Sequence, residues 1–195
     1  MKVMKPLVRS ILFVVVTTVI FGGIYPGAVT LAARLLWRDK ADGSFVTASG
    51  RTVGSGLIGQ PFADPRYLHG RPSAAGKDGY DATSSSGTNL GPTSAALAKA
   101  VKDAVSAARA DRPGDTRPVP ADLVTSSASG LDPHLSPEAA GWQALRIAKA
   151  RGVSEAAVLA VIDRHVEGRT LGFIGDPRVN VLLANIDLDR SFPRK

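Results

Sequence analysis

Residues 10–33 read SILFVVVTTVIFGGIYPGAVTLAA, and none of these 24 residues carries a charge. As an α-helix the segment would be about 36 Å long, at about 1.5 Å per residue. That length is enough to cross a hydrocarbon core about 30 Å thick with some tilt. The segment therefore predicts a single membrane-spanning helix, followed by a domain outside the membrane.

Basic residues in front of this segment predict its orientation. Lys2, Lys5 and Arg9 precede it, whereas the basic residues behind it are partly offset by Asp39 and Asp42. Positive charge in a short flanking segment is retained on the cytoplasmic side. The N-terminus is therefore predicted to be cytoplasmic, and the following domain to face the periplasm or the cell exterior.

A cleaved signal peptide is the alternative interpretation of the same segment. Residues 30–32, Thr-Leu-Ala, would then form the small-residue cleavage site. Signal peptides have a shorter apolar core and a polar region before the site. The uninterrupted apolar length favours a retained anchor.

Glycines give one side of the predicted helix a small-residue surface. Gly23 and Gly27 are four residues apart, with Gly22 beside them. Such spacing lets another membrane helix approach closely, although glycine is common in these helices. The pattern suggests a partner within the membrane.

The chain divides into four parts on these grounds. We expect a cytoplasmic N-terminus at 1–9, a transmembrane helix at 10–33, a linker with short strands at 34–52, and a soluble domain at 53–195. The predicted fold class of that domain is α+β, because strand-like and helix-like patterns alternate irregularly along it.

Within the soluble part, residues 54–94 are rich in Gly, Pro and Ser, yet apolar residues recur at intervals, which predicts an ordered loop. The other predicted elements are short strands at 45–47, 51–53 and 119–125, a helix at 93–110, helices starting at Ser136 and Ser154 and ending at Gly152 and near Gly168, and a last segment after Pro177 with helical spacing or strand character.

Composition excludes several classes of function. Three of the 24 basic residues precede residue 10, so residues 10–195 carry 21 basic and 17 acidic side chains, with the signs interspersed. This balance predicts a solvated surface and no nucleic-acid partner. The absence of cysteine excludes a disulfide or a thiolate site. The histidines His69, His134 and His165 are too scattered to predict a metal site.

A catalytic function has little support in the residues. Ser129, Asp132 and His134 are the residue types of a hydrolase triad, but neighbours so close in sequence seldom point at a common centre. The run 73–77 ends in Gly-Lys like a phosphate-binding loop, but Asp78 follows where Ser or Thr is needed. We predict no catalytic residues, no metal site and no tightly bound cofactor.

Four long motifs resemble a known family. They are GSGLIGQPFADPRYLHGRPSA at 54–74, SSGTNLGPTS at 85–94, DLVTSSASGLDPHLSPEAAGWQALRIAKARG at 122–152 and GDPRVNVLLANIDLD at 175–189. In this order they closely resemble the C subunit of the Kdp potassium-transporting ATPase. The family usually reads Ser-Asn-Leu-Gly-Pro-Thr-Asn where this chain has Thr88 to Ser94.

The resemblance implies a small single-pass subunit of a bacterial inner-membrane complex for high-affinity, ATP-driven potassium uptake. Its implied partners are a channel-like potassium-translocating subunit, a P-type ATPase subunit and a small helical peptide, besides membrane lipid. A membrane-anchored envelope hydrolase and a scaffold protein are the alternatives outside the family. Co-purification of much larger membrane proteins would distinguish a pump subunit from either.

The resemblance allows two accounts of what such a subunit contributes. In one it raises the ATP affinity of the ATPase subunit, and the glutamine implied to touch the shared ATP is Gln143 by motif. In the other it assists assembly and caps the complex outside the membrane. The predicted orientation separates residues 41–195 from cytosolic ATP and favours the second account. On a helix, Gln143 would otherwise be an ordinary polar surface or hydrogen-bonding residue.

Overall fold

The computed structural model describes residues 4–193, which fall into two compact units, one up to Phe45 and one from Val46 onward. The predicted α+β class is confirmed, since a long apolar helix precedes a domain of short helices and two small sheets. Lys2, which contributed to the predicted orientation, lies outside the described residues.

The first unit is a helix that is longer than the uncharged segment. It comprises α1 (Met4–Val19), a π-helical turn (Ile20–Ile24) and α2 (Tyr25–Leu36). An 18-residue stretch of this 33-residue helix has a mean hydropathy of 2.2, and the helix is long and apolar enough to cross a membrane. The short helix α3 (Arg38–Ala41) follows in the same unit.

The π-helical turn contains two of the three glycines of the predicted helix–helix surface. Gly22 and Gly23 lie inside it, and the N–H of Tyr25 bonds to the carbonyl of Ile20. A Cβ placed on Gly23 or Gly27 would meet no atom within 4 Å. π-turns rotate the helix face that follows them and occur often at functional positions.

The second unit begins with a hairpin of β1 (Phe45–Ala48) and β2 (Arg51–Ser55), which confirms the two strands predicted there. After the long loop come α4 (Ala95–Asp111), a 3₁₀ turn (Ala121–Leu123), β3 (His134–Leu135), α5 (Pro137–Trp142), α6 (Ala144–Arg151), α7 (Glu155–Arg164), β4 (Val166–Glu167), β5 (Arg178–Asn180) and α8 (Val181–Ser191). The last three strands form an antiparallel sheet in the order β3-β5-β4.

The core of this unit lies between helices α5 to α8 and the three-stranded sheet. Its fully enclosed members include Ile147, Val158, Leu188 and Val179. Leu68, from the middle of the long loop, is also fully buried in it. The loop is therefore part of the packed domain, as its recurrent apolar residues predicted.

Two predicted elements are corrected by the structure. The strand predicted at 119–125 is wrong: Pro120 has no N–H to donate to a sheet, and the chain forms the 3₁₀ turn instead. The helix predicted to end near Gly168 ends at Arg164, and Val166, which follows it, lies exposed on β4.

Candidate functional site

Gln143 lies where the helix that begins at Ser136 is interrupted. It ends α5 and precedes α6, and its backbone still accepts a bond from Ile147 N–H at 3.1 Å. Its side chain faces inward, and only 2% of the residue is exposed. Of the two ordinary roles considered for Gln143, the surface role is therefore wrong.

The amide of Gln143 pairs with the backbone of one loop residue. Its Oε1 accepts the N–H of His69 at 2.9 Å, and its Nε2 donates to the carbonyl of His69 at 3.0 Å. A side-chain amide has one acceptor and two donor hydrogens, so it can replace the neighbouring strand that a buried backbone requires. Gln143 thus holds the loop against the helices.

Asn185 of α8 does the same for the preceding residue. Its Oδ1 accepts the N–H of Leu68 at 2.7 Å, and its Nδ2 donates to the carbonyl of Leu68 at 2.9 Å. Asn185 is only 2% exposed. We call Gln143 and Asn185 together the amide clamp, because they satisfy all four backbone polar groups of two consecutive loop residues.

Arg146 of α6 reinforces the same junction. Its guanidinium donates to Oε1 of Gln143 at 2.6 Å, to the carbonyl of Pro65 at 2.6 Å and to that of Tyr67 at 3.1 Å. It also pairs with Asp111 at the end of α4, at 2.9 Å. One positive charge therefore joins the loop, α4 and α6.

The environment of His69 favours the neutral form of its side chain. Burial lowers its pKa, and the nearby Arg146 guanidinium lowers it further. Its Nε2 lies 3.1 Å from the carbonyl oxygen of Asp64 and 3.4 Å from Nη1 of Arg146. A proton on His69 would bring a second positive charge beside Arg146, so acid disfavours this packing.

A second junction joins the loop to residues 122–136. Nη1 of Arg71 lies 3.4 Å from Asp132 and 3.7 Å from Asp122, and its Nε donates to the carbonyl of Thr125 at 3.3 Å. A hydrogen bond from His134 and the nearby Arg71 lower the pKa of Asp132, despite partial burial. Asp122 also accepts the N–H of Ser136 at 2.8 Å.

Close backbone contact fixes the loop at Gly130. Its φ is +67°, and a Cβ there would lie 2.5 Å from the carbonyl oxygen of Ser86 and 2.7 Å from the nitrogen of Ala75. Only glycine tolerates both the conformation and the contact. The segment quoted at 122–152 is therefore a rigid turn leading into a capped helix.

The residues considered for a hydrolase have other partners. Ser129 Oγ accepts the N–H of Leu131 at 3.1 Å and lies 3.4 Å from Ser127 Oγ. His134 Nδ1 lies 3.4 Å from Asp132. The hydrogen bonds of residues 4–193 do not join Ser129 to His134, so no triad is assembled there.

The surroundings of Gln143 do not fit a nucleotide in this packing. Its oxygen already accepts two hydrogen bonds, its nitrogen donates to His69, and a loop residue covers it. ATP would reach the amide only if the clamp opened. The assignment of Gln143 to ATP thus stays a prediction.

The sequence did not indicate that Asn185, Arg146 and Arg71 would take part in holding the loop.

Comparisons with known proteins identify related chains. A family model described as "K+-transporting ATPase, c chain" matches residues 7–190. A potassium-transporting ATPase KdpC subunit of Myxococcus xanthus is 57% identical over 179 residues, which cover 91% of this chain and 84% of the relative. The KdpC subunit of Koribacter versatilis is 50% identical over 189 residues, or 97% of this chain and 96% of the relative.

Proposed function

Since this chain belongs to the KdpC family, the c chains of K⁺-transporting ATPases, we propose that it is a non-catalytic subunit that assembles the pump and caps it outside the membrane. Its proposed partners are a channel-like potassium-translocating subunit, a P-type ATPase subunit and a small helical peptide. The membrane-spanning helix anchors it in the bacterial inner membrane, and the domain from Val46 onward carries the contact surface.

The enclosure of Gln143 is the observation that carries this proposal. A residue that recognises ATP must be accessible to it, whereas Gln143 is only 2% exposed and its amide is bonded to His69 and Arg146. Its amide instead keeps residues 54–94 in a defined shape. A preformed loop loses little conformational entropy when a partner binds it, which suits an assembly subunit.

Any effect of Gln143 on the pump's ATP affinity is then indirect. We assign this effect to the position of the loop, which a partner subunit contacts, and not to contact between Gln143 and the nucleotide. The predicted cytoplasmic N-terminus supports this assignment, because it places the domain on the side opposite cytosolic ATP. Lys5 and Arg9 are the described basic residues on which that orientation rests.

A comparison of Gln143→Ala with Asn185→Ala in the assembled complex tests the assignment. Both changes remove one half of the amide clamp, but only Gln143 is a candidate for direct contact with ATP. We expect the two variants to change the recovery of complex and the KM for ATP in the same direction. A raised KM in Gln143→Ala alone, with Asn185→Ala indistinguishable from wild type, would favour direct nucleotide contact.

Purification of the wild-type chain from detergent tests the wider proposal. A pump subunit should bring down two much larger membrane proteins, at a fixed ratio. A chain that purifies alone, or one that hydrolyses a simple ester without partners, would favour the scaffold or the hydrolase alternative. For the earlier comparison of Gln143→Ala with Asn185→Ala, Gln60→Ala is a suitable control. Gln60 is the other glutamine of the chain and lies half-buried in the loop 54–94.

A further inference from the structure

The connection between β4 and β5 extends away from the core. All residues from 168 to 177 are exposed, although three of them carry large apolar side chains. Leu171 is 79% exposed, Phe173 71% and Ile174 50%. We call these three residues the apolar tip. Single exposed apolar residues are ordinary, but three within four positions mark an interaction site.

The apolar tip is a preformed structure. Thr170 and Ile174 exchange two backbone hydrogen bonds of 2.9 Å, and the N–H of Gly172 bonds to the carbonyl of Arg169 at 3.0 Å. Arg169 also pairs with Asp176 across the base, at 3.2 Å. The side chains are thus presented in a fixed arrangement, as a binding anchor requires.

Leu171 adopts a backbone conformation that leucine disfavours. Its φ is +54°, in the left-handed region that glycine and asparagine adopt far more readily than leucine. The neighbouring Gly172 is left-handed as well, with a φ of +82°. The leucine side chain adds little packing inside the domain, because most of it faces solvent. A strained residue that packs on nothing is accounted for by a contact outside the chain.

The charges around the apolar tip indicate which kind of partner covers it. Arg178 pairs with Glu167 at 2.9 Å and Arg169 with Asp176, so the hairpin has no net charge. Proteins bind an anionic lipid surface through unpaired basic residues. Both arginines of the hairpin are paired, and the acidic Asp176 side chain, which such a surface would repel, is 89% exposed. A neutral, rigid, apolar projection is complementary to an uncharged apolar recess in a protein.

We propose that the apolar tip docks into an uncharged apolar recess on the extramembrane surface of a larger subunit of the pump. This inference rests on the proposed function, because the partner is one of the subunits with which the chain assembles. Leu171 and Phe173 are the anchors, and Ile174 closes the base of the contact. Anchors of this kind each contribute about tenfold or more to an association constant.

The variants Leu171→Gly and Phe173→Ser, in the full chain co-expressed with the other subunits, test the docking. Both should lower the recovery of complex from detergent by about tenfold or more. Leu171→Gly should nevertheless leave the thermal unfolding temperature of the isolated full chain unchanged or raised, because glycine relieves the left-handed backbone. Val53→Ser, at an exposed apolar position on β2, is the control and should assemble like wild type.

Two outcomes would overturn the proposal. One is wild-type recovery of complex in both tip variants. The other is a loss of recovery with a matching fall in unfolding temperature in Leu171→Gly, which would make the role structural. These outcomes differ from failure of the proposed function, in which the wild-type chain itself would bring down no larger subunit.

A fluorescent label distinguishes a protein recess from lipid. The chain has no cysteine, so Thr170→Cys, at an exposed position beside the apolar tip, can carry one environment-sensitive dye and leaves both anchors in place. We expect a blue shift when the labelled full chain is assembled with the larger subunits, and none when it is reconstituted alone in vesicles containing anionic lipid. A blue shift in vesicles alone would show lipid insertion and overturn the proposal.

Discussion

Gln143 and His69 are 74 residues apart in the chain, yet the side-chain amide of one pairs with both backbone polar groups of the other. The arrangement resembles a single rung of a β-ladder in which a side chain replaces one strand. It is completed by Asn185, which pairs with Leu68 in the same way. The long loop is therefore ordered by contacts with the rest of the domain, the amide clamp among them, and not by secondary structure of its own.

Gln143→Ala should destabilise the domain by about 2 kcal/mol, because it leaves the half-buried N–H and C=O of His69 without the amide that binds them. Asn185→Ala should have a similar effect through Leu68. Denaturant unfolding measures the loss, and hydrogen exchange should show reduced protection at Leu68 and His69. Unfolding midpoints equal to that of Gln60→Ala would contradict the prediction.

Ser136→Ala should cost about 1 kcal/mol of stability. The hydroxyl of Ser136 accepts the N–H of Ala139 at 3.2 Å and caps α5. Ser136→Asn keeps an acceptor at the same position and should retain most of the stability. Urea midpoints that fall equally in both variants would assign the effect to something other than the cap.

Gly27→Leu should weaken assembly while leaving membrane insertion intact. Around Gly27 a Cβ meets open space, so the larger side chain disturbs nothing within the chain but prevents the close approach of another helix. Val29→Leu, on a different face of the helix, serves as the control. The measurement is recovery of the complex from detergent, and equal recovery of both variants would exclude a partner at this face.

Acid should destabilise the domain through His69. Its pKa is lowered by burial and by Arg146, so below about 6.5 the unfolded chain binds a proton more readily than the folded one. Stability should therefore fall as the pH drops through that value. Urea midpoints at about pH 7.5 and about pH 5.5, on either side of the ordinary histidine pKa, measure the fall.

His69→Gln is the matched variant for this test, because it keeps a polar side chain but cannot be protonated. The acid-induced loss should be smaller in His69→Gln than in wild type. Since His134 and His165 are present in both proteins, the difference between the two profiles belongs to His69. Parallel profiles would show that the folded state does not disfavour its proton.

A cysteine introduced at the exposed Ser106 of α4 should react with a membrane-impermeant maleimide in intact cells. The expected labelling follows from the basic residues before the membrane helix, which predict a cytoplasmic N-terminus. The native chain has no cysteine, so it serves as the unlabelled control. Labelling only in opened cells would place the domain beside cytosolic ATP.

Local signals in the sequence predicted most of the elements. The apolar run predicted the membrane helix, and Ser136 and Ser154 predicted helix starts, since both hydroxyls accept an N–H three residues on. The last segment combines the two alternatives left open for it, with β5 followed by α8. These features depend on near neighbours, and hence they are visible in a linear sequence.

The candidate site was harder to predict, because its contacts join residues far apart. Gln143 was found only by resemblance, and its burial depends on the loop residue His69. The spacing of α8 could have indicated that Asn185 is buried, because it lies on the same helical face as the buried Leu182 and Leu188. A polar residue on an apolar face needs an internal partner, but nothing in the sequence names Leu68 as that partner.

The amide clamp also fixes an order of events during biosynthesis. Leu68 leaves the ribosome 117 residues before Asn185, whose amide pairs with both of its backbone polar groups. Until α8 has been made, the segment around Leu68 therefore remains without half of its support and stays accessible to chaperones and proteases. The clamp can therefore close only after nearly the whole chain has been synthesised.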